Sequence, residues 1–88
     1  MAYGSNGALD APDDADIEIG QRITNALIIK NISITTLSEE TGIAYNTLRR
    51  SLKGSRSVSI QELSRIANTL NIQPSALLPA SLTEQVAA

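Results

Sequence analysis

The chain has no cysteine, no histidine, no tryptophan and no phenylalanine, and only two tyrosines. Without cysteine there is no disulfide framework, no thiol nucleophile and no thiolate metal site. A secreted domain of this size often needs disulfides, so their absence favours a reducing compartment. Without histidine there is no imidazole to act as base or metal ligand, and the sequence holds no glycine-rich phosphate loop. The only carboxylate cluster, Asp13, Asp14 and Asp16, lies in a stretch without periodicity. Nothing here predicts an enzyme, a cofactor, a metal or a small-molecule ligand. No segment approaches the ~20 apolar residues of a membrane span. The first residues show neither the basic stretch nor the apolar run of a signal peptide. The expected location is the cytoplasm.

Isoleucine, leucine and alanine dominate what is present. Eighty-eight residues suffice for one small domain, and the apolar fraction of 42% is enough for an aliphatic core of the kind small helical bundles use. The net charge of −2 conceals an uneven distribution. Asp10, Asp13, Asp14, Asp16 and Glu18 hold five of the nine acids, and no basic residue precedes Arg22. From Ile19 onward seven basic residues face four acids, and between Arg49 and Arg56 there are four basic residues and no acid. Local charge, not net charge, governs a phosphate-binding face.

Residues 1–15 read as a disordered acidic tail. Ile19, Ile23 and Leu27 then recur at helical spacing and predict a helix over 16–30, with Asn31 as its stop. Ser33 is a good N-cap for a helix over 34–41 that buries Leu37 and the small Ser38. Gly42 supplies the positive φ that ends it. A third helix over 45–53 turns Leu48 and Leu52 inward with Ile43 and closes at Gly54. Ser59 and Glu62 form a capping box for a fourth, whose stripe is Ile60, Leu63, Ile66, Ala67 and Leu70. Pro74 opens a short fifth helix carrying Leu77 and Leu78. Residues 80–88 form a C-terminal tail, and Leu77, Leu78, Leu82 and Val86 either finish the core or make a homodimer seam.

The segment 33–54 meets most demands of a helix-turn-helix. An apolar anchor, Leu37, is followed by a small residue, Ser38, where the second helix crosses. Gly42 comes four residues later, then the apolar Ile43, then Leu48 at the middle of the second helix. Thr41 and Ser51 stand where apolar residues are usual, and are the two weak matches.

Residues 19–78 resemble the lambda-repressor-like, Cro/CI-type helix-turn-helix family. The resemblance rests on Ile-Gly-Gln-Arg-Ile from position 19, Leu-Ser-Glu-Glu-Thr-Gly-Ile-Ala-Tyr-Asn-Thr-Leu-Arg-Arg from 37, Ser-Ile-Gln-Glu-Leu-Ser-Arg-Ile-Ala-Asn-Thr-Leu-Asn-Ile from 59, and the following Gln-Pro-Ser-Ala-Leu-Leu. It implies an all-α, five-helix domain over 16–79 that binds double-stranded operator DNA, usually as a dimer. The expected function is that of a sequence-specific transcriptional regulator, foremost a repressor of phage or prophage type. An antitoxin or adaptor that binds a protein partner is the alternative, although such a module has no need of the basic face.

Carried onto this chain, the resemblance implies that Tyr45, Asn46, Arg49 and Arg50 read bases. Their spacing agrees, since positions 45, 46, 49, 50 and 53 share one outward helix face. Arginine pairs bidentately with guanine and asparagine with adenine. Ser33, Thr35, Thr36, Thr47, Lys53 and Arg56 are expected at phosphates. Tyr45 also fits a role packing on the first helix, and Asn46 one as a helix-start residue. Where the family often has a glutamine that contacts phosphate, this chain has Ile34, which either packs inward or changes the docking. The acidic tail is either a solubilising end or a tethered competitor for the basic helix. Arg22 is placed to pair with Glu18 one turn earlier.

Overall fold

A computed structural model describes residues 14–79. Among them there is no strand. Four α-helices, α1 (Asp14–Lys30), α2 (Ile34–Thr41), α3 (Tyr45–Leu52) and α4 (Ile60–Leu70), are followed by one 3₁₀ turn at Pro74–Leu77. The fifth element is therefore a single tight turn and not an α-helix, since its bonds span three residues: Ala76 N–H to Gln73 O at 2.9 Å and Leu78 N–H to Ser75 O at 3.2 Å. α1 is already helical at Asp14, the first described residue, earlier than the periodicity indicates, and the acids Asp14 and Asp16 near its N-terminal end suit the positive end of the helix dipole. Asp14 and Ala15 are thus helical, and the rest of the expected acidic tail lies outside the described residues, as do Leu82 and Val86.

Each helix stops by the same device, one residue in the left-handed region. α1 ends at Asn31 (φ 58°) and α4 at Asn71 (φ 58°); α2 ends at Gly42 (φ 78°) and α3 runs through Lys53 to Gly54 (φ 80°). At Asn31, Gly54 and Asn71 the two closing bonds of a Schellman motif are present. For α3 they are Ser55 N–H to Arg50 O at 3.0 Å and Gly54 N–H to Ser51 O at 3.1 Å. Gly42 instead makes the single bond of the simpler αL motif, its N–H donating to Ser38 O at 2.9 Å.

α1 packs on α3 and touches α4 and the 3₁₀ turn, while α2 sits between α3 and α4. Ile19, Ile23 and Leu27 of α1 meet Leu37, Ile43, Leu48, Leu63, Ile66, Ala67, Leu70 and Leu77 in one aliphatic core. Each fully buried Leu or Ile contributes about 1.5–3 kcal/mol relative to exposure. Leu77 is a core residue, 1% exposed, so it is not available for a dimer seam; Leu78 is half-buried against the same core. Ile34 also packs on the core, which answers the question its sequence position raises. Ile60 departs from its expected place in the α4 stripe: it is 83% exposed. It is the first residue after the Ser59 cap, one turn ahead of Leu63, the first buried residue of α4, so the helix end projects past the core.

Both weak matches to the motif are buried and satisfied. Thr41, 7% exposed, donates its hydroxyl to Leu37 O at 2.7 Å and accepts from Ile43 N–H at 3.2 Å. Ser51, 2% exposed, donates to Thr47 O and accepts from Arg56. A small hydroxyl that hydrogen-bonds locally can occupy an apolar position without an unpaired polar atom.

Candidate nucleic-acid interface

α2 and α3 meet across the turn at Gly42–Ala44, and Ser38 fastens that turn by donating its hydroxyl to Ile43 O at 2.6 Å. α2 opens with Ser33, whose hydroxyl oxygen accepts from Thr36 N–H at 3.1 Å while its proton goes to Thr36 Oγ1 at 3.0 Å. Ser33, Thr35 and Thr36 are all exposed, grouped at the helix end whose dipole attracts anions.

α3 shows one buried and one open face. Leu48 and Ser51 are buried; Thr47 and Leu52 are half-buried. Tyr45, Asn46, Arg49, Arg50 and Lys53 are exposed together. Tyr45 is 43% exposed, so part of its ring is covered while the rest stays open. Among the described residues, Asn46, Arg49, Arg50 and Lys53 spend no side-chain hydrogen bond or ion pair on the protein itself. Arg22, by contrast, is bound to Glu18 at 2.9 Å, the i,i+4 pair expected within α1.

α1 makes room for this helix. A Cβ on Gly20 would strike the Leu52 carbonyl oxygen and lie 2.8 Å from Ser51 O, so the α1 backbone passes directly against the end of α3. A Cβ on Gly54 would lie 2.7 Å from Ile17 Cα. Both glycines are needed for close approach, and Gly54 for its positive φ as well.

One expected phosphate residue, Arg56, is engaged within the protein. Arg56 does not stand free beside Lys53. Its guanidinium forks onto Glu62, with Nη1 3.0 Å from Oε1 and Nη2 2.8 Å from Oε2, and Nη1 also donates to Ser51 Oγ at 2.8 Å. The hydrogen bond from Arg56 holds the Glu62 carboxyl below its ordinary range, against partial burial, with help from the Ser59 N–H. The same bond raises Arg56 further above its usual value. Glu62 also completes the capping box of α4, accepting from Ser59 N–H at 3.0 Å. The sequence announces the capping box but not the second use of its carboxylate, because Arg56 lies outside any helical register with Glu62.

A tight turn, a satisfied crossing and a second helix with an open basic face define a helix-turn-helix DNA-binding domain. The family model for the Cro/C1-type HTH DNA-binding domain matches residues 22–80. The chain belongs to that family. It is similar to an uncharacterised HTH-type transcriptional regulator of Sinorhizobium fredii, 33% identical over 64 residues; the match covers 73% of this chain and 45% of that protein. The chain thus spans less than half the length of that relative. Its fold is similar to the crystal structure of the restriction-modification controller protein C.AhdI from Aeromonas hydrophila, with a TM-score of 0.69 and 27% identity over 72% of this chain and 96% of the other. Among the described residues, no helix is long and apolar enough to cross a membrane, and no group of three His, Cys, Asp or Glu is placed to hold a metal ion.

Proposed function

We propose that the protein is a transcriptional regulator, acting foremost as a repressor, that reads operator DNA with α3 in the major groove. The observation that carries this reading is the exposed row Asn46, Arg49, Arg50 with no partner of its own among the described residues. Unpaired arginine forks on a rigid, groove-sized helix are what bidentate guanine recognition requires, and Asn46 suits adenine. Tyr45 stands at the leading end, where its exposed edge meets bases or the sugar–phosphate wall. Ser33, Thr35, Thr36, Thr47 and Lys53 flank this row and supply phosphate contacts that set the register. Occupying an operator excludes polymerase and needs no chemistry, which suits a chain without histidine or cysteine.

One copy makes few phosphate contacts, so a homodimer on a two-fold-related site is the working assembly. Leu78, Leu82 and Val86 are the seam residues that remain once Leu77 is assigned to the core. Binding from a random duplex pool, with enrichment and sequencing, tests the whole reading. A palindromic site is expected, with a steep fall in affinity as salt rises. Enrichment of no sequence at all, with binding lost at moderate salt, would reduce α3 to a nonspecific basic surface.

A further inference from the structure

Arg56 sits in the loop between α3 and α4, yet it is among the most engaged cations of the described residues. Its guanidinium reaches three acceptors on two helices: Ser51 Oγ in the last turn of α3, and both carboxylate oxygens of Glu62 in the first turn of α4. Both ion-pair partners are largely covered, the Arg56 side chain at 29% and that of Glu62 at 18% exposure. Ser51 beneath them is 2% exposed and holds Thr47 O with its own proton. A chain of bonds therefore runs from the α4 cap through Arg56 into the middle of α3.

The tie matters because of what α3 otherwise leans on. The helix packs against α1 and α2 rather than along α4. Gly20 and Gly54 set its distance from α1, and Leu48 seats it in the core. Those contacts lie on the α1 and α2 sides of this eight-residue helix, so the motion left to resist is a roll about its own axis or a tilt towards α4. Such a roll would swing Arg49 and Arg50 across the groove floor. The Ser51–Arg56–Glu62 chain opposes it from the α4 side.

We infer that Arg56 is a positioning residue for base reading, acting through Ser51 and Glu62 to hold the orientation of α3 rather than by touching DNA. This rests on the operator-binding reading above. The fork is essential to it, because a lysine carries the same charge but cannot bond both carboxylate oxygens and Ser51 in one plane.

The test compares wild type, R56A, R56K and E62Q on the selected operator and on a scrambled duplex of equal length, across a salt series, with a thermal melt of each protein. R56A and E62Q are each expected to lower the ratio of specific to nonspecific binding by roughly tenfold, the scale of one mismatched base pair. Their salt slopes should stay at the wild-type value. E62Q is the sharper variant: it removes a negative charge, so electrostatics alone would tighten binding to both duplexes. R56K should fall with R56A in discrimination. If R56A melts below the assay temperature, E62Q and R56K carry the comparison.

The inference is overturned if R56A lowers the salt slope by about 0.9, the signature of one lost phosphate contact, while discrimination survives and R56K and E62Q behave as wild type. Failure of the underlying reading is distinguishable. It appears in the wild type, as no preferred sequence, before any variant is compared.

Discussion

At its C-terminal end α3 is gripped from three directions: by the Gly20 backbone of α1, by Ile17 against Gly54, and by Arg56 from the α4 side. At its N-terminal end the helix starts from Ala44, which offers no side-chain cap, and Tyr45 and Asn46 project outward. α2 and α4 are treated differently, since both begin with a serine whose hydroxyl accepts a backbone N–H. A missing cap costs about 1 kcal/mol and leaves backbone donors open. On the proposed reading of α3 those open donors face where phosphate or base edges arrive. One end is spent on holding the helix still, and the other carries the side chains proposed to read DNA.

The hardest way to break this contrast is at the gripped end. Gly54→Ala should cost about 3 kcal/mol or more, since it combines a left-handed φ with a collision against the Ile17 backbone. In a domain of this size a thermal melt would then fall by roughly 12 °C or more. Gly20→Ala gains about 1 kcal/mol of helix propensity but meets the Leu52 carbonyl, and a net loss is expected because a backbone oxygen cannot swing aside as a side chain can. A melt at or above wild type for either variant would show that α3 is not held this way.

At the open end the largest effects should be on binding and not on folding. Arg49→Ala or Arg50→Ala is expected to relax preference at one base position by ~1–3 kcal/mol, with the melt unchanged. Loss of stability in either variant would mean that these side chains do structural work. Lys53→Ala should weaken all duplexes alike and reduce the salt slope by about 0.9.

Acid sharpens the comparison from another side. Glu62 has a folded pKa held below its ordinary value by the hydrogen bond from Arg56. Its stabilising contribution is therefore complete above that ordinary value and is lost as pH falls through the lower, folded one. Melting of the wild type should weaken across that acid window, and E62Q should remove this part of the pH dependence. An identical acid profile in E62Q would show that the carboxylate contributes nothing to the grip. The smallest effect belongs to Gly42→Asn. Gly42 has the same left-handed φ as Gly54, but nothing lies within 4 Å of the place its Cβ would occupy. Asn31 and Asn71 already adopt this conformation in the same fold. A change within about 0.5 kcal/mol is expected for Gly42→Asn, against a large loss for Gly54→Asn.

Local signals in the sequence locate most of this architecture. The capping box at Ser59 and Glu62, the stop at Asn31 and the inward spacing of Ile23, Leu27, Leu37, Leu48, Leu63 and Leu70 are all properties of near neighbours along the chain. Tertiary choices are less visible. Thr41 and Ser51 read as poor motif residues because their hydrogen-bond partners become evident only once the turns are built. Ile60 reads as core because periodicity cannot tell where a helix first meets its neighbours. Leu77 leaves core and seam equally open until the 3₁₀ turn is seen to fold back onto α1 and α4. Arg56 reads as one more cation in a basic run, since nothing in the order of residues aims it at Glu62 rather than at solvent.

The separation of labour along α3 has an evolutionary consequence. Exposed positions 46, 49, 50 and 53 carry no side-chain hydrogen bond or ion pair to the rest of the described residues, so replacing them should leave the fold's stability nearly untouched. Glycines 20 and 54 and the Ser51–Arg56–Glu62 chain, which hold the helix, lie away from the face proposed to read bases. A lineage built on this scaffold can drift from one operator to another by single substitutions, each passing through a folded protein. Target choice and foldability are inherited on different residues.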